Sequence, residues 1–145
     1  MKERIGIVSG GFDPLHKGHL RMIQAAKSFS DKLIVIVNSN LFLTNKKGYF
    51  FQDLEERKEL IRGMCCVDYV VGAIDEDQTV CKTLEVLADL FNQDELIFYN
   101  GADRVESNID EAQVCEKYNI RTEFGIGGTE KIQSSSELIK KIRNI

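Results

Sequence analysis

His16 and His19 are the only two histidines in the 145-residue chain, three positions apart with Gly18 between them. Gly10, Gly11 and Pro14, the only proline, fall in the same short stretch. Imidazoles at that spacing at the start of a helix can point the same way. The paired glycines let the backbone turn tightly and approach a ligand closely, and Pro14 stiffens the loop. Gly18 leaves space for a phosphate at a helix N-terminus, where unpaired N–H groups and the helix dipole favour an anion. Together these residue types suit the handling of phosphate charge.

Two further clusters fit the same chemistry. Lys46 and Lys47 stand beside Gly48, in what reads as a loop after a central strand, where cations can meet an anion. Alone, such a pair is most often a solvated turn. Ser134, Ser135 and Ser136 precede a final helical stretch and offer hydroxyls and backbone N–H groups to phosphates. Alone, they would be an N-cap. It is their occurrence with the histidine segment that makes both clusters candidates, with Lys46 favoured over Lys47.

These residues need a frame. Short apolar runs alternate with helical periodicity: strands at Arg4–Ser9, Leu33–Asn38, Val67–Val71, Glu95–Tyr99 and Ile120–Gly125. Helices are expected at about His19–Phe29, Asp53–Met64, Asp77–Phe91, Asp110–Tyr118 and Ser134–Ile142, with Asp53 and Glu56 forming a capping box on the second. The Leu-Ile-Val-Ile-Val run is that of a strand buried on both faces. Alternation of this kind implies an α/β, Rossmann-like, doubly wound parallel sheet of five strands in a single domain, residues 1–145. Ligands then bind beyond the carboxyl ends of the central strands, where the histidine segment falls.

Composition excludes several classes. Apolar residues make up 43% and charged residues 29%, with a net charge of -4, so a soluble globular domain is expected and nucleic acid is not the partner. No apolar run approaches the roughly 18 residues of a membrane span, and the N-terminal residues lack a signal-peptide pattern; a cytoplasmic protein is expected. Cys65, Cys66, Cys81 and Cys115 show no zinc spacing and read as buried, reduced structural thiols.

The stretch Gly-Gly-Phe-Asp-Pro-Leu-His-Lys-Gly-His (10–19) resembles the signature of the cytidylyltransferase-like nucleotidyltransferase superfamily, in particular the heptose-1-phosphate adenylyltransferase and glycerol-3-phosphate cytidylyltransferase branch. The resemblance implies that His16 and His19 contact nucleotide phosphates and stabilise the transition state. It implies further that the backbone at Gly10, Gly11 and Phe12 approaches the α-phosphate, with Asp13 and Gly18 in the same binding loop. Lys46-Lys47-Gly48 resembles a lysine element that reaches the phosphates, and Ile132 to Ile139 is similar to the family's C-terminal serine element. Asn100-Gly101-Ala102-Asp103-Arg104 resembles a Gly-Gly-Asp-Arg/Tyr element. Its strand-end position turns Asp103 toward nucleotide or acceptor and leaves Arg104 for a phosphate or base. Glu55-Glu56-Arg57 is similar to a Glu-Glu-Arg element whose arginine helps order the site, although an exposed pairing of Asp53 with Arg57 explains it equally well. Two arginines of the glycerol-type branch are replaced here by Cys65 and Gly128.

The expected reaction is transfer of CMP or AMP from CTP or ATP to a sugar or polyol phosphate, releasing pyrophosphate. A phosphate monoester is already largely ionised near neutral pH, so no general base is required. His16, His19 and Lys46 would act by electrostatic stabilisation. Magnesium is expected to arrive on the nucleotide phosphates, without a protein-made metal site, and a homodimer is expected. Competing readings are a nicotinate mononucleotide or FMN adenylyltransferase, a nucleotide-binding regulator without turnover, and a flavodoxin-like or receiver domain.

Overall fold

Alternation of apolar faces along the strands dictates the layers. In the computed structural model, which describes residues 2–101, 110–127 and 133–144, the elements run β1 (Arg4–Gly10), α1 (Lys17–Ser28), β2 (Lys32–Val37), α2 (Asn40–Lys47), α3 (Leu54–Arg62), β3 (Tyr69–Gly72), α4 (Cys81–Leu90), β4 (Glu95–Tyr99), α5 (Ala112–Lys117), β5 (Arg121–Glu123) and α6 (Ser135–Arg143). All strand pairings are parallel, in the order β3-β2-β1-β4-β5. This is the expected α/β, Rossmann-like sheet of five strands.

Successive strand residues point to opposite faces. Ile5, Ile7, Ile34, Ile36, Leu96 and Phe98 therefore share one core with Leu84 and Leu87 of α4 and Cys115 of α5. Val8, Leu33, Val35, Val37, Ile97 and Tyr99 face the other way, onto Ile23 and Ala26 of α1 and Ile61 of α3. Each fully buried aliphatic side chain contributes roughly 1.5–3 kcal/mol relative to exposure, so the three central strands are held from both sides.

The strand order reverses beside β1, and a cleft opens there at the carboxyl ends of the strands. The Asn100 carbonyl, at the end of β4, accepts from Ile126 N–H at 3.0 Å and brings the segment after β5 to the cleft edge. Gly125 and Gly127 in that segment have φ of 74° and 80°, the left-handed region where a side chain is strained.

Two local expectations change. Residues 40–47 form a helix where a loop was expected: the Ser39 hydroxyl accepts from Phe42 N–H at its start, and Gly48 closes it at φ 85°. Helix α4 begins at Cys81, not Asp77, because Asp77 folds back on Thr79. Buried Asp75 caps α4, accepting from Lys82 and Thr83 N–H at 2.7 and 3.2 Å. Asp53 is the N-cap of α3 as expected, but its carboxylate accepts from Glu55 N–H and the Asn40 amide, and Glu56 pairs with Gln52. These two donors, the Asn40 amide first, hold the Asp53 carboxyl below its ordinary value.

Candidate active site

The first turn of α1 is built by its own histidines. His16 is the N-cap, and its Nδ1 accepts from Gly18 and His19 N–H at 3.1 and 3.4 Å; His19 Nδ1 accepts from His16 N–H at 3.3 Å. Imidazoles thus take both roles in a capping box, satisfying amides that a helix start otherwise leaves unpaired. The rings stack 3.7 Å apart at 19°. Gly18 is what allows this: a Cβ there would lie 3.0 Å from His16 Cε1 and 3.1 Å from Nδ1.

The chemical consequence concerns the proton. A neutral imidazole carries one N–H, and a ring whose Nδ1 accepts a backbone N–H carries it on Nε2. With Nδ1 engaged in this way, Nε2 is the ring atom each histidine has left to donate from. The Phe12 ring sits edge-on to His19 at 4.9 Å, limiting its rotation. Phe12 itself is 2% exposed with φ of 52°; its ring lies over Gly10, where a Cβ would come within 2.8 Å of it. A Cβ on Gly11 would meet Leu43 of α2 at 2.7 Å. Both glycines are demanded by packing at the strand end, which brings the backbone of Gly10 to Phe12 to the cleft wall.

Asp13 serves structure more directly than ligand. Its carboxylate, 1% exposed, accepts from Phe51 and Gln52 N–H at 2.7 and 2.6 Å and pairs with Lys47 Nζ at 3.0 Å. Lys47 also donates to the Asp13 carbonyl at 3.1 Å. The two residues brace the loop against α2, although both border the cleft. Lys46, one residue earlier, is exposed at the mouth, with Nζ 6.0 Å from the Phe42 ring centroid.

Arg57 is the residue whose role the sequence left open. It is fully buried and is no exposed partner of Asp53. Its guanidinium donates to the carbonyls of Gln52 (2.8 Å), Gly11 (2.9 Å) and Asn38 (2.7 Å) and to Asn40 Oδ1 (2.8 Å). One planar fork ties the ends of β1 and β2 to the starts of α2 and α3. Burial pushes its pKa down, and the Asp13 and Asp53 carboxylates push it back up.

The serine cluster closes the opposite side. Ser134 is the N-cap of α6, accepting from Glu137 N–H; Ser135 Oγ donates to the Pro14 carbonyl at 2.8 Å, strapping α6 over the β1–α1 loop. Ser136 borders the cleft beside them. Two helix N-termini, those of α1 and α6, thus face one space.

That space is a cavity of about 490 Å³, within the range of small-molecule sites. It gathers Gly10, Gly11, Phe12, Asp13, His16, Gly18, His19, Lys46, Lys47 and Ser134 to Ser136. Asp103 and Arg104 lie outside the described residues. Sequence reasoning missed Met22, Phe42, Gln78, Val80, Glu111, Ile126 and Gly127 in the cavity lining, whereas Gly101, from the Asn100–Arg104 element, does border it. The α2 helix was detectable from Ser39 as a cap, Lys46 and Lys47 in the last turn, and Gly48 beyond; the remaining residues carried no local signal. Among the described residues no helix is long and apolar enough to cross a membrane. No group of three or more His, Cys, Asp or Glu side chains among them is placed to hold a metal ion.

Burial of all four cysteines, as expected from the sequence, does not hold: Cys115 is buried, Cys66 and Cys81 are half-buried, and Cys65 is exposed because it lies in the turn after α3. None of the four is in a disulfide, and burial pushes the Cys115 thiol up to about 12, assisted by Glu111 and Cys81.

Comparison with known proteins bears on the family and the fold. The family model described as cytidylyltransferase-like matches residues 7–141. The bifunctional protein HldE of Geobacter sulfurreducens is 32% identical over 124 residues, covering 84% of this chain and 24% of that protein. HldE of Helicobacter pylori strain G27 is 31% identical over 144 residues, covering 98% and 28%. The chain thus spans about a quarter of the length of these relatives. Among solved structures, the lipopolysaccharide core biosynthesis protein of Thermoplasma volcanium superposes with a TM-score of 0.69 at 24% identity, covering 90% of this chain and 99% of that one. A bifunctional NMN adenylyltransferase/ADP ribose pyrophosphatase of Francisella tularensis gives 0.66 at 18% identity, covering 98% and 42%. These two likenesses concern the fold.

Proposed function

Because the chain belongs to the cytidylyltransferase-like family, we propose that it is a nucleotidyltransferase. It moves a nucleoside monophosphate, CMP or AMP, from the triphosphate to a sugar phosphate or polyol phosphate. The observation that carries this reading is the convergence of two Nε2–H imidazoles, the Lys46 ammonium and two helix N-termini on one cavity.

In this reaction an acceptor phosphate oxygen attacks the α-phosphorus in line. The new P–O–P bond forms as the bond to the β-phosphate oxygen breaks, and pyrophosphate leaves. The acceptor phosphate is already ionised, so this chain need not remove a proton. Its work is to hold the reactants in line and to meet charge on the transferring group. His16 and His19 donate from Nε2 to the α-phosphoryl oxygens and the bridging oxygen as it takes up charge. The N-termini of α1 and α6, with the serine hydroxyls, receive the β- and γ-phosphates. Lys46 meets the acceptor phosphate or the transferring group from the α2 side.

Magnesium enters with the nucleotide. The Asp13 carboxylate at the cleft is taken by two amides and an ammonium, so the donor set suits an ion ligated mainly by phosphate oxygens and water. It neutralises triphosphate charge when bound. A supply of nucleoside triphosphate and reduced thiols fits the cytosol.

The test is pyrophosphate release with CTP and ATP against hexose, pentose and glycerol phosphates in the presence of magnesium. Turnover with one nucleotide–acceptor pair is expected, and His16→Ala and His19→Ala should each lower kcat about a hundredfold or more. Tight nucleotide binding without release from any pair would instead identify a regulator without turnover.

A further inference from the structure

Helix α6 forms one wall of the cavity with its first turn, yet it stands apart from the packing of the sheet. Ser134, Ser135 and Ser136 line the cavity. Ile139 is the only buried side chain of α6, and it belongs to neither of the two cores. Lys140, Lys141, Ile142 and Arg143 are exposed. A helix with so little buried apolar surface can shift without unpacking the strands. Its remaining attachments therefore decide where its N-terminus points.

Two such attachments lie at opposite ends. At the start of α6, Ser135 Oγ donates to the Pro14 carbonyl at 2.8 Å. At its end, about 12 Å further along the axis, the Arg143 guanidinium lies 5.2 Å from the centroid of the half-buried Tyr49 ring. That ring is anchored in turn. Lys47 Nζ lies 5.0 Å from the same centroid and pairs with the Asp13 carboxylate at 3.0 Å. Asp13 also accepts from Phe51 and Gln52 N–H, in the same α2–α3 loop as Tyr49, and it directly precedes Pro14. The contacts close a circuit, from Ser135 to Pro14, through Asp13 and Lys47 to Tyr49, and back to Arg143. One fastening would leave the helix free to pivot; two, a helix length apart, fix its direction. Direction matters, because the unpaired N–H groups and the dipole act along the axis and fade within one turn. A cation is also favoured at any helix C-terminus, but Lys140 and Lys141 already serve that end. Arg143 is the one placed over Tyr49, and a planar guanidinium stacks on an aromatic face.

We propose that Tyr49 and Arg143 are positioning residues that latch the far end of α6, aim its serine-bearing N-terminus into the cavity, and make closure of α6 part of nucleotide binding. This rests on the nucleotidyl-transfer reading and adds what holds the serine wall in place. A surface cation–π contact is a weak fastening, which suits a wall that closes on a triphosphate and opens again for pyrophosphate. Latching and binding are reciprocal: phosphate under the α6 N-terminus favours the latched helix, and the latch raises affinity by the same factor.

The experiment follows the full chain by hydrogen exchange, by calorimetric binding of inorganic tripolyphosphate, and by steady-state pyrophosphate release. Tyr49→Leu and Arg143→Gln should each speed exchange of α6 amides such as Leu138 N–H, which donates to the Ser134 carbonyl at 3.1 Å. Each should weaken tripolyphosphate about three- to fivefold, the equilibrium factor of a surface cation–π pair. The KM for the nucleoside triphosphate should rise by the same factor, with the acceptor KM and the unfolding midpoint unchanged. Tyr49→Phe keeps the ring and should match wild type. The double variant should lose no more than the worse single one, because one contact is removed once. Lys140→Gln takes an equal charge from the same turn and should change none of the three readings. Equal loss from Lys140→Gln would assign the effect to charge and overturn the latch. So would additive losses in the double variant, or Tyr49→Leu and Arg143→Gln proteins with wild-type exchange and affinity. If no nucleotide–acceptor pair releases pyrophosphate while the variants still loosen α6 and weaken tripolyphosphate, the latch stands and the transfer reading falls.

Discussion

Replacing Arg57 by leucine tests how the β1–α1 loop is held. The substitution removes the donor from four hydrogen bonds and leaves three backbone carbonyls and Asn40 Oδ1 in place. Hydrogen bonds to a charged group contribute about 1.5–3 kcal/mol each, so a simple sum of about 6–12 kcal/mol would rival the whole stability of a domain, about 5–15 kcal/mol. The sum overshoots, because leucine also relieves the guanidinium of its burial cost. Removing one partner of a buried charged network costs about 3–5 kcal/mol, and that is the expected loss here. At about 2–4 °C per kcal/mol for a chain near this size, Tm should fall by roughly 6–20 °C. Urea unfolding followed by far-UV circular dichroism should show a lower midpoint with an unchanged slope. Arg57→Lys keeps the charge facing Asp13 and Asp53 but loses the planar fork, so it should fall between the two. A leucine variant within about 1 kcal/mol of wild type would refute the idea that this guanidinium holds the strand ends together.

Three other outcomes follow from the site. Gly18→Ala should not gain the up to about 1 kcal/mol that alanine usually gives a helix over glycine, because its Cβ would stand 3.0 Å from the His16 ring that caps α1. It should lower kcat about tenfold or more, because its Cβ meets the His16 ring; unchanged turnover would contradict the packing argument. Long-range nitrogen–proton correlation spectra near pH 7.5 should show both histidines protonated at Nε2 and bare at Nδ1, and a proton on either Nδ1 would break the reciprocal cap. With a thiol-reactive maleimide at pH 8, exposed Cys65 should label readily in the folded protein. Cys115, buried and with its thiol pushed up to about 12, should label only after unfolding. Because its folded pKa exceeds the ordinary value of 9.0, this thiol favours folding less as pH rises through that interval.

Much of this molecule is written in local sequence. The β-branched runs alternate faces with period two, and that alone implies strands covered on both sides. The histidine pair, its glycines and the serine cluster also announce themselves, because glycine at a close approach and serine at a helix start are local demands. Helix α2 was legible too, from Ser39 and Gly48, once its cap residues are weighed above the Lys-Lys pair.

Other features depend on residues far apart in the chain. Lys46 and Lys47 are adjacent and alike in type, yet one stands at the cleft mouth and the other is held by Asp13, 34 residues away. Arg57 reads as one of many helix-surface arginines until strand ends from two other segments close around it. Gln78 reaches the cleft and the Phe42 carbonyl only because β3 lies beside β2. Residue type and spacing determined the α/β sheet and the histidine–glycine turn at the end of its first strand, since those demands are met within a few residues. Which lysine is bound by Asp13, what holds the loop and what lines the cleft were decided by packing, since hydrogen bonds and ion pairs form between whatever groups the fold brings together.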